Sequence, residues 1–218
     1  MSAAKLQKVT APALPQAKDE FDRPYQDQLN NVHRLFYNRL TQSFNYLISP
    51  GTPDAAPGGV HLYTPYAAIQ RTTDKTFTAN TATLVTFDTN DFLSGCTNDG
   101  TGGITVEHEA IYNYQFSVQW KNTASQDHVA WIWLRIGGVD AVGTASQFSV
   151  PAKHGSVDGH LIGAANFYVQ LAALESVSLY AAVDNTAVSM EAYAVQTSPF
   201  AMPSIPSVVA TLTFVSAV

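Results

Sequence analysis

Charge is what this chain has least of. Asp, Glu, Lys and Arg make up 13% of its 218 residues, about half the share usual in soluble domains. A monomer so poor in charge would show water an unusually bland surface, and burial within an assembly explains that composition better. The eleven lysines and arginines form no cluster and the formal net charge is −6, so nucleic-acid binding has no electrostatic footprint. A single cysteine, Cys96, excludes an intrachain disulfide framework and any paired-cysteine zinc site. Long apolar runs are missing too. The first residues, MSAAKLQKVTAPALPQAKDE, lack the apolar centre of a signal peptide, and no stretch approaches a membrane span. Synthesis in a cytosol without membrane insertion is the expectation.

What is present favours β-structure, because Thr, Ser, Val and aromatic residues abound. The stretch from Ala110 to Asp140 organises the rest. Tyr112, Tyr114, Phe116, Val118 and Trp120 alternate with Asn113, Gln115, Ser117 and Gln119, the period of a strand with one buried face. From Val129 to Ile136, Ala130, Ile132, Leu134 and Ile136 share one face while Trp131 and Trp133 fall on the other. A strand apolar on both sides is covered on both. One cover is the core; the second is expected to be another subunit.

The chain divides into four expected segments. Residues 1–21 carry Pro12 and Pro15 and no periodic pattern, and read as an extended arm ordered against a partner or not at all. Residues 22–48 read as an amphipathic helix. Asp22 suits its cap, Pro24 its first turn, and Tyr25, Leu29, Val32, Phe36, Leu40, Phe44 and Leu47 one apolar stripe widened by Leu35, Tyr37 and Tyr46. Bulky aromatics fit a coiled-coil seam poorly, so docking onto another surface is expected. Residues 49–65 open with SPGTPDAAPGG, a semi-rigid spacer.

Residues 66–218 read as about ten short strands without a helix, hence a sandwich or jelly roll. The expected strands are Ala67–Arg71, Ala82–Asp88, Gly103–Glu107, Ile111–Trp120, Val129–Ile136, Gln147–Val150, Asn166–Leu171, Ser176–Val183, Ala187–Ala194 and Val208–Ser216. Gly137-Gly138 and Asp184-Asn185 sit where hairpin turns take positive φ.

Candidate chemistry is thin. His154, Asp158 and His160 offer two imidazoles and a carboxylate, a donor set suited to zinc. A glycine-pinned polar loop is the preferred reading of the same residues. Glu107 and Glu109 flank His108, too few ligands from one segment for calcium. Asp127-His128 lacks a G-x-S-x-G elbow to serve, and no P-loop, dinucleotide fingerprint or H-E-x-x-H exists. Cys96, beside Gly95, reads as a passive thiol. Neither an enzyme nor a cofactor is expected.

The runs YNYQFSVQW and VAWIWLRIGGVDAVGTASQFSVP, with a late strand ending ATLTFV, resemble the jelly roll of tumour necrosis factor and complement globular heads. Gly137-Gly138 stands where that family carries Asn-Gly. More narrowly, QLNNVHRLFYNRL, VPAKHGSVDGHLIGAANFYVQL and PSIPSVVATLTFV resemble small virion proteins of tailed bacteriophages, in which an L-P-x-A arm and a helix precede such a domain. The resemblance implies a mainly β chain with a tumour necrosis factor-like jelly roll, one N-terminal helix and an arm. It also implies homotrimers with an aromatic face at the threefold axis, here Tyr112, Tyr114, Trp131 and Trp133. Leu14 and Pro15 with Tyr25, Leu29, Val32, Phe36 and Leu40 would anchor the chain in a virion. The expected role is a capsid cement or decoration protein, with a major capsid protein or a tail or head adaptor as partner. The alternatives are a fibre knob for a host-surface receptor and a stand-alone carbohydrate-binding module.

Overall fold

The computed structural model describes residues 13, 20, 22–48, 64–98, 100 and 102–218, the side chains of 45–48 excepted. Leu14, Pro15 and nearly all of the expected arm and spacer lie outside the described residues. The chain divides into two compact units, Met1–Tyr63 and Thr64–Val218.

In the first unit the described element is a helix, α1, Arg23–Ile48. Its first turn closes as the Gln26 amide donates to the Asp22 carbonyl at 3.0 Å. Tyr25, Leu29, Val32, Phe36 and Leu40 are partly shielded, so the apolar stripe is real. Leu35, Tyr37 and Phe44, by contrast, are about half exposed or more. The helix thus leaves apolar surface exposed both beside the stripe, at Leu35 and Tyr37, and on it, at Phe44.

In the second unit two antiparallel sheets face each other. The first is ordered β4 (Thr89–Ser94), β1 (Tyr66–Arg71), β14 (Val208–Ser216), β7 (Ala110–Asn122) and β11 (Gly159–Leu171). There β13 (Val188–Met190) pairs with the end of β7, beyond β14, and β2 (Lys75–Thr76) pairs with β13. The second sheet runs β10 (Ser146–Val150), β8 (His128–Ile136), β12 (Ser176–Val183), β6 (Gly103–Val106) and β5 (Cys96–Asn98). Short β3 (Thr83–Leu84) joins β12, and β9 (Val139–Asp140) joins β8. From β6 onward the chain passes back and forth between the sheets, and β1 closes against β14. That winding is a jelly roll, as the alternation in the sequence implied.

The core lies between the sheets. Tyr112, Tyr114, Phe116, Val118 and Trp120 of β7 meet Ala130, Ile132 and Leu134 of β8 and Val177, Leu179 and Ala181 of β12, all essentially inaccessible. Asn122, fully buried at the end of β7, donates to the carbonyls of Gln126, Val150 and Pro151 and accepts from the Ala124 amide. It ties the turn after β7 to the exit of β10, using side-chain hydrogen bonds where the ladder has ended.

Four local expectations need correction, and the first is that the expected strand Ala187–Ala194 keeps only Val188–Met190. Strand β11 begins at Gly159, well before Asn166. Its first half is glycine- and alanine-rich because neighbours are close: a Cβ on Gly159 would lie 1.8 Å from the Pro151 carbonyl oxygen, and one on Gly163 3.0 Å from Trp120 Nε1. The expected strand Ala82–Asp88 shrinks to Thr83–Leu84, although Val85 and Phe87 still reach the core. Asp184-Asn185 takes no positive φ. The chain there passes from the second sheet to the first, and Asn185 Oδ1 accepts the Ala187 amide at 2.9 Å in a side-chain-closed turn. Gly137-Gly138, with φ of 55° and 84°, does form the expected hairpin, between β8 and β9.

Tyr112 and Tyr114 are both fully buried, yet their hydroxyls differ. Tyr112 donates to the His108 carbonyl at 2.7 Å, whereas the Tyr114 hydroxyl has no hydrogen-bond partner among the described residues. Burial holds the Tyr114 phenol well above the ordinary tyrosine range. Tyr112→Phe should therefore lower stability by about 1 kcal/mol, while Tyr114→Phe should leave it unchanged or raise it by a similar amount. Urea unfolding midpoints of the two variants check this, and equal losses would contradict it.

Candidate functional site

The sandwich presents two outer faces, and they differ in chemistry. On the first sheet the outward residues are those between the core positions. They run from Ile111 to Gln119 on β7, Ile162 to Gln170 on β11, Val209 to Thr213 on β14 and Tyr66 to Gln70 on β1. None is charged. Cross-strand pairing places Ile162 opposite Gln119, Tyr168 opposite Asn113 and Phe92 opposite Ala68, all on this face. Ile162, Tyr168 and Phe92 are each about two-thirds exposed, and Tyr66 is 43% exposed. On the same face lies a shallow depression of about 500 Å³ lined by Gln115, Ser117, Ala164, Asn166, Val209 and Thr211.

Charge returns at one end of this face. Lys121 Nζ lies 2.5 Å from Glu191 Oε1 and 3.1 Å from Asp158 Oδ2. The Tyr193 hydroxyl donates to Glu191, and His160 Nδ1 sits 3.3 Å from that hydroxyl. The hydrogen bond to Glu191, helped by Asp158, raises the Lys121 pKa against the pull of desolvation. Burial and then the bond to Glu191 push the Tyr193 phenol up to about 12.

On the second sheet, Trp131, Trp133 and Arg135 of β8 and Tyr180 of β12 point outward. Trp131 Nε1 donates to Gln147 Oε1 at 3.2 Å and Trp133 Nε1 to Asp140 Oδ1 at 2.7 Å. Arg135 Nε donates to the same Asp140 oxygen at 2.8 Å, and its guanidinium lies 3.9 Å over the Tyr180 ring. The bond from Arg135, then that from Trp133, holds the Asp140 carboxyl below its usual range.

These placements take Tyr112 and Tyr114 out of the expected threefold contact. Tyr112 and Tyr114 are core residues, inaccessible from outside, whereas Trp131 and Trp133 lie on the far side of the opposite sheet. The four share no surface. Nor do the indoles need a second subunit to satisfy them, because Gln147 and Asp140 of the same chain already do. The face that sequence reasoning missed, with Ile162, Tyr168, Phe92 and Tyr66, required knowing that β11 starts at Gly159 and that β4 exists.

The chemical candidates disperse. His154 sits in a tight turn whose amide and carbonyl pair with Val157, while Asp158 turns to Lys121 and His160 to Glu191 and Tyr193. Among the described residues no group of three His, Cys, Asp or Glu side chains is placed to hold a metal ion. Asp127 accepts the Ala152 amide, and His128 pairs with Asp184 at 3.3 Å, so no triad forms between Asp127 and His128. Burial, then the nearby Glu107, pushes the Cys96 thiol up to about 12, which makes it a poor nucleophile. No described helix is long and apolar enough to cross a membrane.

No protein-family model matches the chain, and no curated protein sequence does. Among solved structures it is similar to the Eiger TNF of S. frugiperda at 11% identity, covering 71% of this chain and 94% of that one with a TM-score of 0.47. It is also similar to the globular domain of zebrafish complement 1qA protein at 12% identity, covering 71% and 99% with a TM-score of 0.42.

The Lys121 network yields a prediction. Its raised pKa means that its contribution is full below the unfolded value of about 10.4 and is lost as pH climbs through the folded one. Lys121→Met should cost about 1 kcal/mol from neutral pH to about 10, and the gap to the parent should close above that. Urea midpoints across that range measure it; a gap independent of pH would refute the role given to the ammonium.

Proposed function

We propose that this chain is a non-enzymatic structural protein that assembles as a homotrimer through the outer face of its first sheet. The observation that carries the reading is the absence of charge among the outward residues of β7, β11, β14 and β1, with Asp91 only at the β4 edge, together with exposed Ile162 and Tyr168 toward one edge and Phe92 and Tyr66 toward the other. Exposed apolar residues gathered on one face mark an interaction surface. A symmetry axis also brings copies of the same residue together, so a charge near it would meet its own kind. A neutral, amide-rich face avoids that repulsion. The sequence-wide shortage of charge then has a location.

Within that class the role is a capsid cement or decoration protein of a tailed phage, held by its arm and helix to a major capsid protein or adaptor. The support is the sequence resemblance, along with the half-exposed Leu35, Tyr37 and Phe44 on α1, which leave the helix with apolar surface to dock. Leu14, Pro15, Tyr25, Leu29, Val32, Phe36 and Leu40 are the proposed anchor. A protein of this kind stabilises a particle by adding buried interface.

Sedimentation of the purified chain tests the assembly. The parent should run at three times the 23.5 kDa protomer mass, and Ile162→Lys and Tyr168→Lys should run as monomers, since an unpaired buried charge costs on the order of several kcal/mol. Trp131→Lys should remain trimeric. A monomeric parent, or dissociation by Trp131→Lys alone, overturns the assignment. Deleting residues 1–48 should abolish particle incorporation while leaving the trimer intact; full occupancy by the truncated chain would remove the anchoring role.

A further inference from the structure

The outer face of the second sheet carries two indoles and a phenol that the assembly described above leaves free. Trp133 and Tyr180 are direct cross-strand partners, with ring centroids 6.2 Å apart and planes inclined by 31°. Trp131 lies two residues along the same strand, about 7 Å from Trp133. Its cross-strand partners are Ala182 on one side and Gln147 on the other. Ser178 and Ala182 are the residues next to Tyr180 on its face of β12. Trp131 and Trp133 each stay partly exposed beside these small neighbours, while Tyr180 is covered on one side by Arg135.

The hydrogen-bonding state of these rings limits what they can bind. Both indole N–H groups are spent inside the protomer, on Gln147 and Asp140. What the rings offer a ligand is therefore π surface rather than a donor. Asp140 uses one oxygen for both Arg135 and Trp133, and Gln147 uses its carbonyl for Trp131. Among the described residues the second Asp140 oxygen and the Gln147 amide group stay available at the border of the aromatic surface. One acceptor and one donor thus flank the rings, with spacing set by β9 and β10.

We propose that this face binds a neutral oligosaccharide. A pyranose has an apolar face of C–H groups that complements the negative π surface of an aromatic ring, and equatorial hydroxyls that reach acceptors and donors at its edge. Two indoles about 7 Å apart on one strand suit consecutive sugar rings of an extended glycan. Cationic ligands are disfavoured because the Arg135 guanidinium already occupies the Tyr180 ring at 3.9 Å. Anionic ligands are disfavoured because Asp140 borders the rings and Arg135 is committed to it. The site lies on the sheet opposite the neutral face, so it does not depend on the trimer and stays open within it.

Tryptophan fluorescence tests the site directly, since Trp120 is buried and Trp131 and Trp133 are the partly exposed indoles. The full-length chain is titrated with cellohexaose, maltohexaose, mannohexaose, xylohexaose and chitohexaose. At least one should give a saturable change. Trp131→Ala and Trp133→Ala should each weaken that binding about tenfold, and Tyr180→Phe should keep it, because the Tyr180 ring lies under the Arg135 guanidinium and holds that side chain rather than the sugar. Gln147→Ala, a surface change that removes the flanking amide together with the acceptor for Trp131 Nε1, gives a second readout should either truncation unfold. No saturable change with any of the five sugars, or affinity unchanged in all the Ala variants, overturns the proposal.

Discussion

Every strand of the sandwich must keep one side dry, and β7 bears most of that demand. It pairs along its whole length with β11 on one edge and with β14 and β13 on the other. Its five large inward side chains fill the space opposite β8 and β12. Because side chains alternate strictly, slipping β7 by one residue would exchange those aromatics for Asn113, Gln115, Ser117 and Gln119 and lose the core outright. Register is therefore fixed from inside. Once it is fixed, the composition of the two outer faces is free to diverge without touching the fold.

The divergence is chemical as much as geometric. One outer face has given up charge and gathered amides, hydroxyls and a few large apolar groups. The other keeps an arginine, an aspartate and the rings of Trp133 and Tyr180 locked to one another by hydrogen bonds and a cation–π contact, with Trp131 held separately by Gln147. The first is tolerant of meeting itself. The second has its polar groups already positioned, so less is lost in ordering them around a ligand. The Lys121–Glu191–Asp158 network marks where the neutral face ends and an ordinary solvated border begins.

Strands that alternate large apolar and polar residues were legible from sequence: β7, β8, β12 and β14 lie where their patterns put them, and α1 follows its stripe. The front half of β11 was not, because glycine and alanine carry almost no periodic signal and are there for closeness to Pro151 and Trp120. Spacing along the chain also misled about the histidines. His154 and His160 are near neighbours in sequence, but the pairing of β11 with β7 carries His160 to the level of Lys121 and leaves His154 in its own turn. Alternation showed that Trp131 and Trp133 oppose the core. It could not show that Gln147 and Asp140 would satisfy them, since those contacts depend on how β9 and β10 return to β8.

The pairing of β1 with β14 places residues 65 and 214 side by side, joined by a 2.9 Å hydrogen bond from the Phe214 amide to the Pro65 carbonyl. Tension applied between the start of β1 and the chain's last residues therefore opens that ladder like a zipper, breaking one bond at a time. Tension that enters at the start of β1 and leaves through the broad sheet surface instead slides β1 between β14 and β4, so that both rows of bonds resist together. A protomer tethered by its leading end and gripped across its face is loaded in its strong direction.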